Sequence, residues 1–152
     1  MMAETMQIRE ARKSDAEELS RLFEVLGFPI ASSLVESHWA EWLQSGNQGI
    51  VAEGMDGCLI GVITIHRKIV LHRPYPVGRI MLLVVDTPAR GLGVGKTLLL
   101  AAETALANQG CKLVEITSRM QLVEAHGFYE YMGYSRTSIR FAKKIGTAEG
   151  HL

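Results

Sequence analysis

Only two cysteines and four prolines occur in the 152 residues, and acidic and basic side chains cancel to a formal net charge of zero. Cys58 and Cys111 stand alone, outside any metal-ligand spacing and flanked by residues that read as strand. That excludes a disulfide scaffold and leads us to expect two reduced, buried thiols. The five histidines form no H-x-x-x-H or similar pair, so no metal site is expected. No apolar run approaches the length that crosses a membrane, and Met1-Met2-Ala3-Glu4-Thr5-Met6-Gln7 lacks a basic start followed by an apolar stretch. No membrane partner is expected, and cytoplasm is the default location. No basic stripe is interleaved with aromatics, so nothing points to nucleic acid. Hydrophobic residues at 47% and charged residues at 21% exclude disorder. Repeats and linkers are absent, which predicts a single domain over 1–152, with 1–5 and 146–152 flexible.

The zero net charge hides an asymmetry. Residues 1–60 carry four basic and ten acidic side chains, whereas 61–152 carry twelve and six. The basic half suits an anionic ligand, and the acidic half either attracts a cationic amine or is a solvated face.

Met6–Ala11 predicts a first strand. Ser14-Asp15-Ala16-Glu17 reads as a capping box before Leu19, Leu22, Phe23 and Leu26 at helical spacing, ending at Gly27. Ser33-Leu34-Val35-Glu36 opens a second helix carrying Leu34, Trp39, Trp42 and Leu43 and stopping near Gly46. Trp39 and Trp42 lie three apart on one side of it, either as core or as an aromatic wall. Strands at Gly49–Glu53 and Cys58–Ile65 flank the turn Gly54-Met55-Asp56-Gly57, the second running on past His66. A loop at His72–Pro76 precedes a strand at Ile80–Val85, whose continuous apolar run predicts burial on both faces. Further on come a helix from Leu98 closed by Asn108-Gln109-Gly110, a strand at Lys112–Thr117, a helix over Gln121–Met132 and a last strand at Arg136–Lys143. The order β-α-α-β-β-β-α-β-α-β implies an α+β fold with a mixed sheet and helices on its faces.

Asp86–Thr97 joins a strand to a helix through Gly91, Gly93 and Gly95. Glycines there clear side chains from the place where amides become free at a helix start, which makes an anion site. Gly95-Lys96-Thr97 mimics the end of a nucleotide P-loop, but that motif needs glycine where Arg90 stands, and no later strand ends in an Asp for Mg²⁺. A dinucleotide G-x-G-x-x-G also fails, since Gly95 closes it one residue early. Arg90-x-x-Gly93-x-Gly95 remains.

That spacing, after Val84-Val85-Asp86 and before a Leu-rich helix, resembles the acetyl-CoA motif of the GCN5-related N-acetyltransferase (GNAT) superfamily. About thirty residues later, Glu124-Ala125-His126-Gly127-Phe128-Tyr129-Glu130-Tyr131-Met132-Gly133-Tyr134 is similar to the superfamily's late helix. The resemblance covers nearly the whole chain. It implies a three-layer fold with a central mixed, mostly antiparallel sheet, whose parallel fourth and fifth strands splay apart to admit pantetheine. It implies acetyl transfer from acetyl-CoA directly to a primary amine of a small molecule or peptide, without a metal. A non-catalytic acyl-CoA-binding module is the alternative, and a homodimer stays open. By resemblance, the backbone from Gly91 through Leu92, Gly93, Val94 and Gly95 to Lys96 holds the pyrophosphate, with Arg90 and Thr97 beside it. Val84 and Val85 pair with pantetheine, and Tyr129 protonates the leaving thiolate. A Cβ at Gly93 or Gly95 would push a phosphate away from the amides.

Two departures stand out. Met81-Leu82 replaces acidic residues that often help deprotonate the amine, leaving Glu53, His66, His72, Glu115 or His126 as candidate bases, or a substrate that arrives neutral. Thr117-Ser118-Arg119 stands where relatives often have Thr-Ser-Asn, which makes Arg119 a candidate contact to a coenzyme A phosphate.

Overall fold

The computed structural model describes residues 6–147. The expectation of flexible ends falls mostly on 1–5 and 148–152, outside the described residues; Gly146 and Thr147 form a turn. The chain forms two compact units, one through Ile116 and one from Thr117.

The first unit holds one sheet in the order β1-β2-β3-β4-β5: β1 Gln7–Glu10, β2 Asn47–Glu53, β3 Leu59–Lys68, β4 Val77–Val85 and β5 Val114–Ile116. The first four strands are antiparallel neighbours, and β5 runs parallel to β4. Helices α1 (Ala16–Leu26) and α2 (Ser32–Gln44) follow β1, and α3 (Val94–Asn108) links β4 to β5.

Alternation along the strands sorts residues to the two faces. On one face Val51, Val62 and Val84 pack with Leu19 and Leu22 of α1, and Phe23 and Leu26 complete that cluster. On the other lies α3, whose Leu98, Leu99 and Leu106 are fully buried; each such side chain contributes roughly 1.5–3 kcal/mol. Two glycines let α3 sit close: a Cβ at Gly61 would meet Leu98 Cδ1 at 3.0 Å and Val94 Cγ1 at 3.1 Å, and one at Gly78 would meet Leu106 Cδ1 at 2.6 Å.

Gly78 and Val84 are six apart and should share a face, yet they serve opposite ones. The cause is a β-bulge. Ile65 pairs with Ile80 and Thr64 with Leu82, so Met81 is an extra residue in β4. The β4–β5 pairing ends at the same point, running only from Gly78↔Val114 to Ile80↔Ile116. Beyond Ile80 the β5 side of β4 has no strand partner among the described residues. The expected strand Lys112–Thr117 is therefore cut to three residues, and the expected strand at Ile80 starts earlier, at Val77.

Local chemistry overrides other expectations. The Ser14–Glu17 capping box does not form; one 3-10 turn, Lys13–Asp15, precedes α1, and no side chain caps the helix. Asp15 instead accepts from Arg9 at 2.9 Å and from the Arg12 amide at 2.8 Å. Helix α2 likewise starts without a side-chain cap, at Ala31, although Gly46 closes it as expected with φ +88°. Its inward stripe is Val35, Trp39 and Trp42, with the exposed His38 at its edge, while Leu34 and Leu43 are exposed. Cys111 is buried, but Cys58 is exposed because it ends the tight turn after Gly57, its amide held by Asp56 Oδ1 at 3.1 Å.

In the second unit α4 spans Val123–Tyr131 and has no fully buried residue. The expected strand Arg136–Lys143 forms no regular secondary structure, and Ile139 and Phe141 are exposed. Alternation signals a strand only where a sheet edge accepts its hydrogen bonds, and no such pairing involves this segment.

Candidate active site

The bulge and the glycine turn lie at the two ends of one short stretch, Met81–Asp86. Val84 turns its side chain into the core and is 3% exposed, so only its backbone, with that of Val85, remains for a ligand on the open side. Asp86 then caps a 3-10 turn, Thr87–Ala89, its Oδ1 accepting from the Thr87 amide at 3.0 Å. Arg21 Nη1 donates to Asp86 Oδ2 at 2.8 Å. Arg90 folds back, its Nε donating to the Val85 carbonyl at 3.2 Å.

Gly91 and Gly93 take φ +80° and +81°, a region that costs a residue with a Cβ about 1–2 kcal/mol. A Cβ at either would meet nothing within 4 Å, so the protein leaves open space above both. Gly93 is the N-cap of α3 and supplies no side-chain cap. The first helical bond runs from the Thr97 amide to the Gly93 carbonyl at 3.1 Å, and Thr97 Oγ1 donates to the same carbonyl at 2.9 Å. The amides of Val94, Gly95 and Lys96, the first three of α3, have no acceptor within the helix. Three such donors at a helix start, below glycines facing open space, form a cradle that fits a pyrophosphate.

A cavity of about 350 Å³ lies on the α1–α2 face of the sheet, beside the bulge. Trp39 and Trp42 wall it with ring centroids 4.9 Å apart at 49°, and Val62, Thr64, Met81 and Leu82 come from the sheet. Thr64 is the one buried polar residue among the described residues, 8% exposed. Asn47 lines the cavity with its Nδ2 tied to the Trp42 carbonyl at 2.9 Å. His38 is the titratable residue of the lining.

None of the bases expected from sequence lines this cavity. Glu53 is held by Arg9 at 2.8 Å, Glu115 lies 3.6 Å from Lys68, His66 Nε2 lies 3.0 Å from the Ser45 carbonyl, and His72 is an exposed loop residue. His38 escaped the sequence reading, although its place at i, i+3, i+4, i+7 with Val35, Trp39 and Trp42 was the available signal. A wider hollow of about 640 Å³ borders Glu18, Arg21, Asp56 and Asp86, and its basic side chain is already paired: Arg21 meets Glu18 at 3.0 Å and Asp86 at 2.8 Å.

In the second unit, Tyr129 is half-buried, with Phe128 at a ring distance of 5.5 Å and Tyr134 edge-on at 6.2 Å. Burial pushes its phenol above the ordinary tyrosine value. Phe128, expected as the core residue, is no more deeply placed than half-buried. The Arg119 carbonyl lies 2.8 Å from His126 Nε2. Among the described residues no group of three or more His, Cys, Asp or Glu is placed to hold a metal ion, and no helix is long and apolar enough to cross a membrane.

A mostly antiparallel sheet with a parallel pair that parts beyond Ile80, followed by a glycine turn into an uncapped helix, defines the acetyltransferase fold of the GNAT type. The sequence model of the acetyltransferase (GNAT) family matches residues 11–134, and the chain belongs to that family. It is 34% identical over 90 residues to the aminoalkylphosphonate N-acetyltransferase of Salmonella typhimurium, a match over 59% of this chain and 58% of that relative. The chain thus spans somewhat over half the length of that relative. Among solved structures, an acetyltransferase of Trypanosoma brucei superposes with a TM-score of 0.82 at 22% identity, covering 92% of this chain and 99% of the other. Glucosamine-6-phosphate N-acetyltransferase of Arabidopsis thaliana does so at 0.78 and 22%, covering 93% and 99%.

Proposed function

We propose that the protein transfers the acetyl group of acetyl-CoA directly to a primary amine of a small molecule or peptide, with residues 1–152 working as one acetyltransferase domain. The observation that carries this reading is the cradle: the first three amides of α3, at Val94–Lys96, beneath two positive-φ glycines, reached from a strand edge free of β5 beyond Ile80. Acetyl-CoA supplies the activated acetyl thioester. The backbone of Gly91, Leu92, Gly93, Val94, Gly95 and Lys96 binds its pyrophosphate, assisted by Arg90 and Thr97, and the backbone of Val84 and Val85 orients the pantetheine arm as a further strand would. Tyr129 gives its proton to the departing thiolate; burial keeps the phenol neutral, the form an acid requires. His38, in the cavity lining, takes the proton of the incoming amine. The Salmonella relative's name supports an amine as acceptor.

The test is calorimetric titration with acetyl-CoA and with inorganic pyrophosphate as control, followed by thiol release with a panel of amines. Binding of acetyl-CoA with stoichiometric N-acetyl product is expected. Tight binding without turnover on any amine would overturn it in favour of a non-catalytic acyl-CoA-binding module.

A further inference from the structure

We infer that the cavity walled by Trp39 and Trp42 is the acceptor subsite and selects a monoamine with an uncharged, aryl-sized apolar body, excluding amines that carry a phosphonate, a carboxylate or a second ammonium. This rests on the acetyl-transfer reading above and narrows it to a substrate class.

Four observations combine. The first is volume. Cores close-pack to crystal-like density, yet about 350 Å³ stays open beside Val62 and Leu19, which are themselves 0% and 2% exposed. That size falls within the range of about 300–1,000 Å³ typical of small-molecule sites. The second is charge: none of the described lining residues is Lys, Arg, Asp or Glu. An anionic substituent or a second ammonium placed there would lose its water with no counter-ion, a cost of several kcal/mol or more. The third is shape. The tilted Trp39–Trp42 pair offers an extended aromatic surface, which favours an aryl or branched alkyl group and gives an ammonium a cation–π partner near the rim. The fourth is the small polar set. His38, Asn47 and Thr64 are enough to orient one amine and too few to satisfy a polyhydroxyl sugar. Met81 and Leu82 belong to both the lining and β4, and Val84 follows Met81 by three positions, so an amine held here lies next to the strand assigned to the thioester arm.

The two tryptophans are the whole tryptophan content of the chain, so emission excited selectively at indole reports on this cavity alone. The experiment titrates the full-length protein with 2-phenylethylamine, aminomethylphosphonate and spermidine, following emission, and then measures acetyl transfer to each. Saturable change with 2-phenylethylamine alone is expected, together with a kcat/KM at least tenfold above the other two. Met81→Arg, at a half-exposed position that tolerates a charge, should raise kcat/KM for aminomethylphosphonate at least tenfold and lower that for 2-phenylethylamine. Trp42→Phe should raise the 2-phenylethylamine KM several-fold and leave acetyl-CoA affinity unchanged. Equal or better use of the phosphonate or spermidine by the unaltered protein, or no emission change with 2-phenylethylamine, would overturn the inference. Saturable binding without acetyl transfer would keep the ligand class of the cavity and remove the transferase reading instead.

Discussion

Arg21 Nη1 reaches Asp86 Oδ2 at 2.8 Å, tying the middle of α1 to the residue from which the glycine turn departs. The same guanidinium also donates to the Leu59 carbonyl at 2.8 Å and to Glu18. One side chain thus aligns a helix, the start of β3 and the end of β4. Arg21→Met should lower stability by about 1 kcal/mol, since the pair is half-exposed, and raise the Kd for acetyl-CoA a few-fold. Urea unfolding and calorimetry check both, and unchanged affinity would mean the turn holds its shape without Arg21.

Gly93 tests the cradle directly. Gly93→Ala forces a Cβ into a φ of +81°, at a cost of about 1–2 kcal/mol, and places that Cβ in the open space proposed above for the pyrophosphate. Acetyl-CoA affinity should drop more than tenfold while the fold persists; circular dichroism and calorimetry separate the two effects.

Tyr129→Phe should lower kcat about a hundredfold with acetyl-CoA affinity unchanged, a size typical of losing a general acid. Burial raises the phenol, so the neutral, proton-donating form persists to higher pH than for a free tyrosine near 10. The alkaline fall of kcat should therefore lie above pH 10 in the unaltered protein. A kcat that is unchanged in the variant removes Tyr129 from the reaction.

Acid stability should depend on two carboxylates. The Arg9 hydrogen bonds hold Asp15 below the ordinary carboxylate value, and those of Arg21 do the same for Glu18. A group depressed in the folded state contributes stability that is complete above its unfolded value, about 4, and lost as pH falls through the folded one. Unfolding free energy should accordingly drop below pH 4, and Asp15→Asn should flatten part of that slope while costing about 1 kcal/mol at pH 7.

Gly78 is where α3 presses hardest on the sheet. All three nearest atoms to an added Cβ belong to Leu106, at 2.6 to 3.0 Å, and Leu106 is fully buried. Gly78→Ala should cost about 1–3 kcal/mol, and Leu106→Val in the same chain should recover part of it. Thermal unfolding of the two single variants and the double variant measures the coupling.

Elements governed by nearby residues were legible from sequence. Leu19, Leu22, Phe23 and Leu26 with Gly27, and Gly110 after the Leu98 helix, mark α1 and α3 because helix periodicity and left-handed stops are local. The glycine turn into α3 was legible for the same reason. Long-range features were not. Asp15 was read as part of a cap until Arg9 claimed it, and Arg136–Lys143 alternates as a strand should but finds no sheet edge. His38 was invisible as a cavity residue because only the packing of α2 on β2 turns Val35, Trp39 and Trp42 inward and sets His38 at the edge of the lining. Trp39 and Trp42 could be read as core or as a wall; both line the cavity, and Trp39 also packs against the α1 cluster.

The extra residue in β4 has a consequence for how this protein tolerates change. Substitution at position 81 alters a side chain; deletion would alter the parity of the strand. Removing Met81 would bring Leu82–Val85 into unbroken alternation with Ile80, leaving Val84 opposite Val62 on the α1 face and letting the ladder continue alongside β5. The opening is set by a count of residues, so a scan of point substitutions would leave it intact where a single-codon deletion would close it.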